Sequence, residues 1–265
     1  EEIILSIFTS QWRVFIFCLL LLVLAAEIGF RMGMTSKRVT EKHFSLINSC
    51  QASVLGLLAL LLGFSFSMAV NRYDQRRDLV VQEANSIGTT YLRADFLPSP
   101  QRQAVHALLH EYVHRRLDFS NFGQGEIDLL KVERASGEIH RLLWEQVAQF
   151  SSTANTPLTA TFVTALNQTI DLDATRLAAL RNHVPLAVWV LLVFVAFSGA
   201  AITGYNTGVS GRRIWLSQFL LPVLIATVIT LLVDIDSPRR GLIGISQQSL
   251  LELDHLLGTD LRNLP

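Results

Sequence analysis

Three groups of residues in this 265-residue sequence have the types and spacing that chemistry needs. The first is His-Glu-Tyr-Val-His at 110–114. His110 and His114 stand one helical turn apart with Glu111 between them. In this arrangement two imidazoles hold zinc and the carboxylate acts as general base. His106 extends the row by a further turn. A catalytic zinc needs a third protein ligand. Glu133, Glu138 and His140 are at hand, and no downstream pattern marks one of them. The alternatives are incidental metal binding and, more plainly, a short motif matched by chance on an ordinary helix. The second group is Asp234 and Asp236 in DIDSPRRG, 234–241. Two carboxylates can begin a cation site, but hard cations want six to eight oxygens. Ser237, backbone carbonyls and a neighbouring subunit would have to complete it. The alternative is a turn in which the two acids pair with Arg239 or Arg240. The third group is Gly56, Leu60, Gly63, Ser67 and Asn71, bordered by Phe64. They recur at i, i+4, i+7, i+11 and i+15, one stripe of a helix. Arg72, Asp74, Arg76, Arg77 and Asp78 follow at once. Small residues on a stripe allow helices to approach closely. The same stripe ending in charge also suits the wall of a pore.

The elements that must position these groups are helices, most of them in a membrane. Half of the residues are hydrophobic, only 17% are charged, and mean hydropathy is +0.38. Four long apolar runs hold this shortfall, and the last three contain no charge at all. Each is close to the roughly 20 residues needed to cross a bilayer core. They are Val14 to about Met32, Ala52 to Val70, Pro185 to Gly204 and Ile214 to Val233. Trp12, Trp189 and Trp215 fall near span ends, where amphipathic rings settle. Pro185 opens the third span, and Pro222 predicts a kink within the fourth. No cleavable leader is expected at the first run. Net charge is zero, which gives no basis for nucleic-acid binding. Cys18 and Cys50 have no metal or disulfide framework and read as packed thiols.

Residues 71–184 form the insert between the second and third spans, and no run there is long enough to cross. Apolar residues recur at helical spacing instead: Val105, Leu108, Leu109 and Tyr112; Ile139, Leu142, Leu143, Val147 and Phe150; Phe162, Leu166 and Ile170. Breaks fall at 97–100, 120–125 and 151–157. The pattern predicts four helices: a continuation of span two to about Phe96, then 101–119, 126–150, and 158–184 running into span three. No strand pattern appears. The fold class is therefore all-α. The chain divides into a first membrane pair at 1–70, the insert at 71–184, a second pair at 185–233 and a C-terminal tail at 234–265. Glu27 and Arg31 are i, i+4 neighbours and predict a helix pair near the headgroups. Asp173 and Arg176 are spaced to pair on the helix leading to span three. No phosphate loop, nucleotide fingerprint or nucleophile elbow is present, so an enzyme is not expected.

The segment LGFSFSMAVNRYDQ, 62–75, resembles the second span of bestrophins, through Leu62, Gly63, Phe64, Val70, Arg72 and Tyr73, with Ser67 standing for a threonine. The chain as a whole is similar to a bacterial bestrophin-like membrane family. The segments that carry this are AAEIGFRMG (25–33), 61–98, NQTIDLDATR (167–176) and DIDSPRRG (234–241). The resemblance implies a homopentameric ion channel with span two around the pore. By position, the bestrophin neck falls on Gly56, Leu60 and Phe64. A glycine cannot narrow a pore, so the constriction would rest on Leu60 and Phe64. Ser67, Asn71, Arg72, Arg76 and Arg77 would form the mouth, where arginines favour anions. Asp74, Asp78 and Glu83 would favour cations. The resemblance also implies calcium near Asp234 and Asp236, and no other cofactor. The segment around His110 looks like an ordinary helix in that family, through Tyr112, Val113 and Arg116. Loop charges lean slightly towards an external insert, whereas the resemblance puts insert and termini in the cytoplasm of a bacterial inner-membrane protein. The partners expected are lipid, small ions and further copies of the chain. A non-conducting scaffold or sensor that binds a partner through its insert is the rival function, and a zinc metalloprotease is the distant one.

Overall fold

The computed structural model describes residues 11–36, 41–121, 126–150, 156–211, 215–237 and 243–263. Among these residues there is no strand. Eight α-helices are present: α1 (Gln11–Thr35), α2 (Glu41–Arg93), α3 (Ser99–Asn121), α4 (Glu126–Phe150), α5 (Pro157–Arg181), α6 (Leu186–Val209), α7 (Trp215–Asp236) and α8 (Gln248–Asn263). A 3₁₀ turn, Ala94–Phe96, ends α2. Among the described residues, four helices are long and apolar enough to cross a membrane, and they carry the four expected spans. Side chains of Glu41, Lys42 and Trp215, and all of Lys37, Arg38, Arg212, Arg213, Arg239 and Arg240, lie outside the described residues.

The chain packs as two units. The first comprises Glu1–Tyr73 with His183–Ile243. Its centre is the crossing of α1 and α6. Gly29, Gly33, Gly204 and Gly208 place backbone against backbone there. A Cβ on Gly204 would lie 1.9 Å from the Ala26 carbonyl oxygen, and one on Gly29 would lie 2.0 Å from that of Ala201. This explains the glycines of AAEIGFRMG: small residues four apart let two membrane helices touch along their backbones. Val14, Cys18, Leu22 and Ala25 continue the buried face of α1. They meet Leu192, Val195 and Ala200 of α6 and Ile225, Ala226, Ile229 and Leu232 of α7 in one core. Side-chain hydrogen bonds tie α2 to α6: Gln51 donates to Thr203, and the Asn206 amide donates to Asn48 and Gln51. Such bonds hold helices where the hydrophobic effect has no preference between protein and lipid. Helix α7 continues through Pro222. Glu27 and Arg31 form the expected pair, at 2.8 Å.

The second unit comprises Asp74–Asn182 with Gly244–Pro265. Its core joins Val80, Ile87 and Tyr91 to Val105, Leu109 and Tyr112, then to Ile139, Leu143, Phe162 and Leu166. Each large side chain fully buried this way contributes about 1.5–3 kcal/mol. Thr156 caps α5 by accepting from the Thr159 backbone N–H, with Pro157 in the first turn. Two departures from the sequence reading matter. Helix α5 stops at Arg181 instead of running into the third span. Asn182 is extended and ends α5, and Pro185 is the residue before α6. The C-terminal stretch, given no element by the sequence reading, contains a helix. Leu250, Leu253 and Leu257 of α8 are buried in the second unit's core.

Candidate functional site

The stripe on α2 is bare among the described residues. Gly56, Leu60, Gly63, Phe64, Ser67 and Asn71 are all exposed. Among the described residues, a Cβ on Gly56 or Gly63 would meet nothing within 4 Å. Leu60 is 54% and Phe64 64% exposed. Leu58, Ser65 and Ala69 are buried, and at 100° per residue they lie on the opposite side of the same helix. Gly56 and Gly63 thus make no close contact among the described residues. The packing glycines are those of α1 and α6. The arginines after the stripe divide into separate uses. Asn71 is exposed beside Arg72. Arg72 is half-buried: one guanidinium nitrogen leans on the Met68 sulfur at 3.8 Å, and the other is enclosed with no hydrogen-bond partner among the described residues. Arg77 is exposed, 3.8 Å from the Asp78 carboxylate, which partly cancels its charge.

Arg76 does not belong with them. It is buried and donates to the carbonyl oxygens of Ala179 and Asn182 at 3.1 and 2.7 Å. These are carbonyls left over at the end of α5, and a cation is favoured there. Glu83, grouped above with the mouth acids, is also wholly buried. It accepts from the Tyr112 hydroxyl at 2.9 Å, pairs with Arg116 at 2.9 Å, and makes a close ion pair with Arg176. Arg116 reaches Asp173 at 2.9 Å, and Arg176 donates to Gln247. Asp173 and Arg176 therefore pair with other helices and not with each other. Two acids and two bases balance inside the second unit. Burial alone would raise the Glu83 carboxyl, but Arg116 and Arg176 more than reverse it and hold it below its ordinary range. Burial and then Glu83 push the Tyr112 phenol well up. Burial would lower Arg116, yet Glu83 and Asp173 drive it upward. Arg176, faced by Glu83 but opposed by Arg116, is left lowered by its burial. The sequence held one signal for this cluster: Glu83 sits on the stripe of Val80, Ile87 and Tyr91, where a charge must be paired.

Asp234 and Asp236 are buried and committed to backbone. Asp236 accepts from the Val184 N–H at 3.1 and 3.2 Å, and Asp234 accepts from the Ile243 N–H at 3.2 Å. These bonds fold the chain around the start of α6 and the end of α7. These bonds leave lone pairs on both carboxylates, but the two acids by themselves supply fewer than the six to eight oxygens of a calcium shell.

In the histidine row, His106 is buried, stacks on Tyr91 and reaches the Tyr91 carbonyl at 3.1 Å. His110 and His114 face Asp254 of α8 at 3.6 and 3.5 Å. Burial, then the neighbouring His114, holds His110 below the ordinary histidine range. The third potential ligand in this group is therefore Asp254, and not one of the residues suggested by the sequence. Glu133 pairs with Arg181 at 2.9 Å, and the ring of His140 packs beside Tyr112. Glu111, the would-be general base, is taken by Arg115 at 2.6 Å.

The fold has known counterparts. Two structures of a bacterial bestrophin homologue from Klebsiella pneumoniae superpose with TM-scores of 0.63 and 0.61, at 16% and 17% identity. They cover 94% and 91% of this chain and 99% and 97% of theirs. A structure described only as a membrane protein gives a TM-score of 0.65 at 15% identity, over 94% of this chain and 99% of that one. Among curated protein sequences, none matches. At these identities the superpositions establish the shared architecture. The sequence model of the Bestrophin-like domain matches residues 17–250, nearly the whole chain, and the protein is therefore a membrane protein of the Bestrophin-like family.

Proposed function

We propose that the chain is one subunit of an oligomeric ion channel, most simply a homopentamer, with α2 around the axis. The observation that carries the reading is the bare face of α2. Only 17% of the residues in its most apolar stretch are buried, against 33%, 33% and 44% in the other three spans. The stripe of Gly56, Leu60, Gly63, Phe64, Ser67 and Asn71 is centred opposite the buried side. A helix surrounded by lipid gains nothing from glycine, serine and asparagine on that face, whereas a helix facing water and its own copies does. Leu60 and Phe64 form the constriction. Repeated around an axis, these side chains make apolar rings that gate by dewetting. Arg72 is the mouth charge, because Arg76 is spent on α5 and Arg77 is offset by Asp78. Insert and C-terminal helix lie on the cytoplasmic side of a bacterial inner membrane. Pure protein reconstituted in a planar bilayer tests the reading: it passes current if the proposal holds. A silent bilayer containing correctly assembled protein favours the scaffold alternative.

A further inference from the structure

We propose that His110, His114 and Asp254 form a binding site for a divalent transition-metal ion of the zinc class, joining α3 to the C-terminal helix α8. The two imidazoles are one turn apart on α3 and so share a face. They form an edge-on pair with ring centroids 4.5 Å apart. One nitrogen of each ring and one carboxylate oxygen all lie within 4.8 Å of one another. Two edges of that triangle, His110–Asp254 at 3.6 Å and His114–Asp254 at 3.5 Å, are already close to a metal's requirement. Zinc bonds of 2.0–2.2 Å at tetrahedral angles put ligand atoms about 3.4 Å apart.

The carboxylate supplies an independent sign. Oδ1 of Asp254, the atom that faces both histidines, is enclosed and has no hydrogen-bond donor among the described residues. A buried carboxylate oxygen left this way costs free energy, and a cation between it and the imidazoles removes the cost. Gly258 follows Asp254 by one turn. A Cβ there would lie 3.7 Å from Nε2 of His110, so the glycine leaves that nitrogen uncovered. Two imidazoles and one carboxylate form a nitrogen-and-oxygen set that suits zinc and its neighbours better than calcium or magnesium. Three protein ligands leave a fourth position for water. Glu111 is bound to Arg115, so the site binds metal without hydrolytic machinery. Its effect is mechanical. Apolar contacts of Leu250, Leu253 and Leu257 hold α8, and the ion adds a coordinate link between its midpoint and α3. The inference does not depend on the channel reading.

The test uses the full chain in detergent, with any polyhistidine tag removed and metal stripped by a chelator. Zinc chloride is titrated by calorimetry, and amide hydrogen exchange is followed with and without zinc. The wild type is expected to take up one zinc per chain, with exchange slowed across 248–263. His114→Gln and Asp254→Asn are each expected to weaken binding roughly 100-fold or more, since loss of even an outer-shell partner costs 10–100-fold. His43→Gln, at an exposed histidine elsewhere, is expected to leave binding unchanged. His114 is itself half-exposed, so its replacement is expected to fold, and helical circular dichroism checks this. Cobalt in place of zinc gives a second readout: a visible ligand-field band in the wild type that both variants lose. Absence of stoichiometric zinc in the wild type overturns the proposal, as does zinc binding of equal strength in both variants.

Discussion

Replacing Glu83 by Gln keeps the shape of the side chain and removes its charge from a fully buried network. Arg116 keeps Asp173, but Arg176 loses its carboxylate and is left with Gln247 as its described partner. Breaking a buried ion pair by removing one partner costs about 3–5 kcal/mol. The second unit has about 130 residues, and for a domain of that size each kcal/mol moves the melting midpoint by roughly 4 °C. The expected fall is then about 10–20 °C. Glu133→Gln provides the contrast. It breaks the Glu133–Arg181 pair, whose side chains are 47% and 51% exposed. Such surface pairs contribute up to about 1 kcal/mol, so a fall below roughly 4 °C is expected. The reporter is Trp144, which lies in the second unit, read by fluorescence with Trp12, Trp189 and Trp215 replaced by Phe. The pH dependence gives a further arm. The folded Glu83 carboxyl is held below its ordinary value of 4.5, so its contribution is fully present above that value. It is lost as pH falls through the lower, folded value. The gap between wild type and Glu83→Gln should be constant near neutrality and narrow only below about pH 4.5. Equal losses for Glu83→Gln and Glu133→Gln would refute the reasoning, as would a gap that widens in acid.

Other outcomes follow from the same geometry. Leu60→Ala or Phe64→Ala should raise single-channel conductance in bilayers, because each widens an apolar ring; unchanged currents in both would remove them from the constriction. Arg72→Gln should shift the reversal potential under a salt gradient towards that of cations, whereas no shift would place Arg72 away from the ion path. Gly204→Leu should prevent folding, since even a Cβ would lie 1.9 Å from the Ala26 carbonyl oxygen. Gly63→Ala, with open space around it, should leave the yield of folded protein unchanged. Equal yields from these two glycine variants would contradict the packing of α1 on α6.

Much of the fold was legible because membrane and helix periodicities are strong signals. Four apolar runs of spanning length, three of them uncharged, carried the spans, and 3.6-residue spacing carried the helices of the insert. The break at 182–185 was legible only in part. Pro185 marked a start, but the Val184 N–H bond to Asp236 joins residues far apart in sequence, and no local pattern contains it. Helix α8 was missed although Leu250, Leu253 and Leu257 show helical spacing, because one apolar stripe on a short terminal segment does not reveal what covers it. Charges were hardest to place. Arg72, Arg76 and Arg77 look alike in sequence, yet one leans on Met68, one ends α5 and one faces Asp78. Composition cannot separate these uses, since each depends on a partner supplied by another turn or another helix. Asp254 illustrates the same limit: it faces His110 and His114 across well over a hundred residues of sequence.

The most direct test of the pore is substituted-cysteine accessibility along α2. Cys18 and Cys50 are first replaced by Ser, and single cysteines are placed at Gly63, Ser67 and Asn71, with Ser65 on the buried side as the comparison. A charged, membrane-impermeant thiol reagent is then applied to reconstituted protein while current is recorded. The account predicts that modification at 63, 67 and 71 alters the current and that position 65 is silent. Currents that ignore modification at all three exposed positions would contradict the claim that this face of α2 lines the ion path.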